Sequence, residues 1–126
     1  MILRKEGRPS GNGPTPETRR LVLERDRYKC VRCGRSLMAV RYSIHHRRLR
    51  SHPFAGLHEA CNLISLCGSG TQLCHGWVHD HPREAMENGW IVSGFNPHPE
   101  QVPVKTTRGL MLLDAGGGVT PARAER

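Results

Sequence analysis

Hydrophobic residues in this chain come in short bursts between long polar stretches, and each burst predicts a small element. Residues 1–14, "MILRKEGRPSGNGP", are polar and rich in glycine and proline, which predicts a disordered basic arm. "TPETRRLVLERD" then carries a helix start, with Thr15 as cap, Pro16 in the first turn and Glu17 behind it. Leu21 and Val22 lie between Arg19 and Arg25, so the helix is mixed in character and ends near Asp26. "MAVRYSIHH" alternates Val40, Tyr42 and Ile44, the period of a strand. "LRSHPFAGLHEA" reads as a loop and "CNLISLC" as a second short strand. "TQLCHGWVHDHP" predicts a helix that stops near His81, because Pro82 inside it would be costly. Pro82 instead opens another helix, "PREAMEN", ended by Gly89. "WIVSGF" reads as a short extended segment, "VPVKTTRGLMLLDAGGGVTP" as a weak hairpin and "ARAER" as a disordered tail. The fold class expected is small α+β.

Composition adds a constraint. The chain has 126 residues, room for one domain, yet only 37% are hydrophobic, and 14 glycines and 9 prolines favour turns. So small a core needs a staple. Five cysteines offer one. The start of the chain has no apolar run and no stretch is long enough to span a bilayer, so a cytoplasmic location without membrane contact is expected. In that compartment, spaced cysteines read as metal ligands rather than disulfides. The formal charge is +8, from 19 Lys+Arg against 11 Asp+Glu, and all but three of the cations are arginine. Arginine's planar fork suits paired phosphate oxygens, so nucleic acid is the partner the charge suggests.

The cysteines and histidines have telling spacings. Cys30 and Cys33 form a C-x2-C knuckle, with Gly34 permitting the tight turn. Cys67 and Cys74 form a wider C-x6-C pair across a flexible "GSGTQL". Four thiolates in a tetrahedron make a closed structural zinc site. Cys61 is a rival ligand by position, but is expected to pack inward as a small apolar residue. Of eight histidines, seven lie between positions 45 and 81. His75 and His79 are four apart, share a helix face and can hold one divalent cation. His81 points elsewhere, toward the surface or a phosphate, and His52, His58 and His98 are assigned no role. His45 and His46 are neighbours on a strand, where adjacent side chains face opposite ways, so the two rings suit two different jobs.

Taken in order, "ERDRYKCVRCG", "SIHHRR", "CNLISLC" and "CHGWVHDHP" resemble the HNH endonuclease family, across roughly residues 17–93. The likeness is to the small, free-standing members found in bacteriophages and actinobacterial genomes. It implies a ββα-metal core with a structural zinc knuckle, preceded by a helix and flanked by irregular or disordered ends. The nuclease domain would span 15–93, with 94–126 as a C-terminal extension. By matching position, His46 would be the general base, while His45, His75 and His79 would hold the catalytic divalent ion (Mg²⁺, Mn²⁺, Ni²⁺ or Zn²⁺). Asn62 would orient the base, pin the connecting loop or reach the metal. The C-x6-C pair departs from the commoner C-x2-C.

The chemistry is self-consistent: hydrolysing a phosphodiester needs an activated water, a cation on the phosphate and help for the leaving oxygen. Arg47, Arg48 and Arg50 follow at once and are expected to clamp flanking phosphates. The expected function is therefore a metal-dependent DNA endonuclease. The rival readings are a zinc-stapled DNA-binding module without catalysis and a phage packaging accessory protein working beside a terminase.

Overall fold

A computed structural model describes residues 13–51 and 53–122. Most of the expected arm, His52 and the last four residues lie outside the described residues. The structure is small α+β, with helices and two small antiparallel sheets.

Helix α1 (Pro16–Arg25) starts as the sequence indicates, with the Thr15 hydroxyl accepting the Thr18 amide at 3.1 Å and Pro16 at the first position. Its inner face buries Val22 and Leu23, and with them the charged Arg25. The Arg25 guanidinium forks onto Asp26, at 2.9 and 3.0 Å, and donates to the carbonyls of Ala60 and Leu63. Asp26 in turn accepts the Ser65 amide at 3.0 Å. The helix end is thereby locked to the strand it packs on, with Arg25 and Asp26 paired in the interior.

Strands β1 (Tyr42–His46) and β2 (Leu63–Cys67) pair antiparallel, with His45 opposite Ile64 and His46 opposite Leu63. β1 begins four residues later than the alternation suggests. Its partner strand ends at Cys67; the Gly68 amide still reaches the Arg41 carbonyl at 2.7 Å, but there, at φ +87°, the chain turns, so residues 38–40 have no strand to pair with. Residues 60–62 form a 3-10 turn rather than the start of β2. β2 is buried along its whole length.

Helices α2 (Leu73–Asp80) and α3 (Pro82–Glu87) are divided at His81 and Pro82, and Gly89, at φ +77°, closes the second. The segment 90–95 joins neither sheet; it is held by single bonds such as the Val92 amide to the Arg47 carbonyl, 2.9 Å. The expected weak hairpin is a three-stranded sheet, β3 (Val104–Thr106), β4 (Gly109–Leu113) and β5 (Val119–Pro121). Its inward residues Val104 and Leu113 join the same apolar cluster as Ile64, Leu66, Val78 and Trp90. Among the described residues no helix is long and apolar enough to cross a membrane.

Arg47 requires a correction. It is not available to phosphate: its side chain is fully buried, and its guanidinium donates to the carbonyls of Gly89, Cys61, Pro99 and Val102 at 2.7–3.0 Å. Burial, aided by the nearby Arg25 charge, lowers its pKa to about 10, so it remains a cation at neutral pH. Arg48 is also turned inward. It lies over the Phe54 ring at 4.0 Å and donates to the Asn96 carbonyl at 3.1 Å. Neither arginine is a free phosphate clamp in this fold.

Candidate metal centres and the histidine cleft

Two groups of side chains converge with donor atoms within 4.8 Å of one another: Cys30, Cys33, Cys67 and Cys74, and His45, His75 and His79.

The cysteine group is assembled from three elements. The knuckle supplies Cys30 and Cys33. Its turn is closed by the Gly34 amide on the Cys30 carbonyl, 2.8 Å, with Gly34 at φ +81°, and by the Cys30 amide on the Arg35 carbonyl, 2.8 Å. The end of β2 supplies Cys67, and the first turn of α2 supplies Cys74. The sulfurs of Cys33 and Cys67 are 3.8 Å apart, and all five cysteines of the chain are free thiols. Two sulfurs each about 2.3 Å from one tetrahedral ion sit about 3.8 Å apart, so the spacing fits a shared cation. Burial raises the Cys30 and Cys74 thiols above their usual range. For Cys33 burial acts the same way, but hydrogen bonds from the Arg35 backbone and the neighbouring thiols outweigh it and the net shift is downward. The Arg32 guanidinium donates to the Cys74 sulfur at 3.3 Å and lies 3.8 Å over the Trp77 ring. Cys61 is buried outside this cluster, as expected.

The histidine group lies where β1 meets α2. The Nε2–H of His45 donates to the Trp90 carbonyl at 2.9 Å. A carbonyl can only accept, so the lone pair of His45 resides on Nδ1. His75 and His79, one turn apart on α2, bring their Nε2 atoms to 3.2 Å. Two nitrogens each about 2.0–2.1 Å from a tetrahedral ion lie about 3.3 Å apart, so this pair also fits a shared cation. The His45 ring centroid is 5.4 Å from each of the other two. Burial, with the nearby His75 and His79, lowers the His45 pKa to about 3. Burial, then His79, lowers that of His75. Neutral imidazole is the form that ligates.

A cleft of about 470 Å³ opens over this group, bordered by His45, His46, His75, His79, Arg19 and Arg50. His46 stands beside the cluster but outside it. Its Nε2 is 3.0 Å from Nδ1 of His58, and the two rings meet edge to face. Burial, then His58 and Arg50, lowers the His46 pKa to about 4. His58 belongs to a loop and shows no ligand spacing, so nothing in the sequence marks it. Arg19 was equally hidden, since nothing in a helix pattern says which loop it will face. Asn62 pins that loop: its Oδ1 accepts the Arg48 amide at 2.8 Å, and its Nδ2 donates to the Leu57 carbonyl at 2.9 Å. Among the described residues no hydrogen bond joins its side chain to His46 or to the three converging histidines; of its expected roles, pinning the loop is the one its bonds match. His81 stacks on Trp77 at 4.2 Å and takes no part in the cluster.

Comparison of the chain with protein-family models, with curated proteins and with solved structures found no match.

Proposed function

We propose that the chain is a metal-dependent endonuclease that hydrolyses DNA phosphodiester bonds, built on a ββα-metal core of the HNH kind. The observation that carries this reading is the convergence of His45, His75 and His79 beside a fourth histidine, His46, that stays outside the group. The four rings lie on the first strand and on the helix of a unit of two antiparallel strands followed by a helix, which is the element order the HNH reading requires. A non-catalytic DNA-binding module would use the charge and the cysteines but has no need of the three imidazoles.

A divalent cation held by the three histidines would neutralise charge on the scissile phosphate and on its leaving oxygen. His46 is the base. With Nε2 turned to His58, its Nδ1 has no hydrogen-bond partner among the described residues and is the atom that would take a proton from water. His58 orients the ring through the shared hydrogen bond and provides an onward acceptor for charge. Asn62 acts at one remove, by fixing the loop that carries His58. Arg19 and Arg50 on the rim would face the phosphates on either side. The four cysteines would hold a structural ion, and zinc is the ion that four thiolates suit best.

The test is His75→Ala. It should lose the histidine-held ion and all plasmid cleavage while keeping the cysteine-held zinc, read by metal analysis of the purified protein. Cleavage at the parent rate would contradict the reading.

A further inference from the structure

A second cavity, of about 210 Å³, opens where the end of α1 meets the turn between β3 and β4. It shares no lining residue with the histidine cleft. Arg27, Lys29 and Arg108 border it, together with Thr106 and Thr107. All three cations are exposed. Asp26 borders it too, but its carboxylate already serves Arg25 and the Ser65 amide. The ion pairs among the described residues join Arg20 to Glu24, Arg25 to Asp26 and His98 to Glu100, and none involves these three cations. The four-sulfur cluster, whose Cys30 also lines this cavity, is the other nearby group that can carry negative charge. Its Cys74 is met by Arg32, and among the described residues no hydrogen bond joins Arg27, Lys29 or Arg108 to a sulfur. Three exposed positive side chains thus border one hollow, and none of them is in an ion pair among the described residues.

The backbone points the same way. Helix α1 ends in a Schellman turn, with the Tyr28 amide on the Leu23 carbonyl at 2.8 Å and the Arg27 amide on the Glu24 carbonyl at 3.0 Å. Arg27 therefore occupies the position just past the cap, where glycine is usual, and its φ is +61°. Tyr28 follows at +54°. An L side chain is strained there and a glycine is not. An arginine in a glycine's place keeps a guanidinium at the cavity edge against the local preference, and strain of this kind gathers at functional sites. Across the cavity, Arg108 is steadied by one bond from Nη2 to the Arg25 carbonyl, 3.3 Å, which leaves it further donors.

We propose that this cavity is an oxyanion site that binds a phosphate group through Arg27, Lys29 and Arg108, with the Thr107 hydroxyl beside them. The phosphate could belong to a nucleic-acid backbone or to a free polyphosphate. In the first case the site grips DNA outside the histidine cleft, and that part rests on the nuclease reading.

Two measurements on the zinc-loaded full chain test it. One follows the backbone amides by NMR during titration with inorganic pyrophosphate. The other measures affinity for a short labelled DNA duplex against salt. The amides of Lys29, Thr106 and Thr107 should shift with pyrophosphate, and Arg27→Gly should abolish the shifts while raising the melting temperature. In duplex binding, Arg27→Gly and Arg108→Gln should each weaken affinity several-fold and reduce the salt slope by about one. Pyrophosphate shifts without duplex binding would keep the site and remove the DNA part. Duplex binding weakened by both variants without pyrophosphate shifts would keep it as a backbone contact. No shifts, with duplex binding absent or unchanged in both variants, would overturn it, whatever the protein does to plasmid DNA.

Discussion

Four carbonyl oxygens, from Cys61, Gly89, Pro99 and Val102, meet at the guanidinium of Arg47. They come from three separate turns, so one side chain ties the segment after α3 and the 3-10 turn at 99–101 to the strand that carries the histidines. Replacing it with methionine keeps much of the bulk and strands all four acceptors. Arg47→Met should cost about 3 kcal/mol or more, read as a lowered urea midpoint. A midpoint within error of the parent would show that those bonds contribute little. The buried histidines carry a second consequence. His45 and His46 titrate near 3 and 4 in the fold against 6.5 for an ordinary histidine, chiefly through burial. Below 6.5 the unfolded chain binds protons that the folded chain refuses. Their contribution to stability is therefore complete above pH 6.5 and is lost as pH falls toward the folded values. The loss is at most about 1.4 kcal/mol per pH unit for each ring. Melting temperature should fall steadily as pH is lowered from 6.5 toward 4; a flat profile would contradict the burial of those rings in neutral form.

Elements with local punctuation were legible in the sequence. Thr15 and Pro16 start α1, Pro82 divides α2 from α3, and Gly89 ends α3, because caps and breakers act over a few residues and leave their mark there. The pairing of His75 with His79 was legible too, since one helix face has a fixed period; that His45 joins them was implied by the family resemblance and by no spacing. What long-range packing decides was not. Arg47, Arg48 and Arg50 look alike in a string, yet the first two turn inward and only Arg50 borders the cleft. His58 reaches His46 through a loop whose path is set by Asn62, and no spacing rule reports that. The three-stranded sheet read as a weak hairpin because its edge strands are only three residues long. At this scale the cysteine cluster joins the knuckle, β2 and α2, so an ion held there would be part of folding. Cys67→Ser should release zinc and lower the melting temperature by tens of degrees or abolish cooperative unfolding. Zinc content and melting curve both equal to the parent would remove the cluster as a staple.

Across the whole molecule, a sparse core is drawn together by internal polar links. Arg25 and Asp26 fasten α1 to β2, Arg47 fastens the turns, and the cysteine group sits where three elements meet. This arrangement leaves the histidine cleft open on one side, bordered by Arg19 and Arg50, and the Arg27–Arg108 hollow elsewhere on a chain of net charge +8. A rigid polar frame of this kind can hold several imidazoles in fixed positions without a large apolar interior. The most direct test of the proposed chemistry is cleavage of supercoiled plasmid by the parent and by His46→Ala, each supplied with Mg²⁺, Mn²⁺, Ni²⁺ or Zn²⁺. The parent should nick or linearise the plasmid with at least one of these ions. His46→Ala should bind the same ion and cut at least a hundredfold more slowly, the usual contribution of a positioned base. A parent that cuts with none of the four ions, or a His46→Ala protein that cuts as fast as the parent, would contradict it.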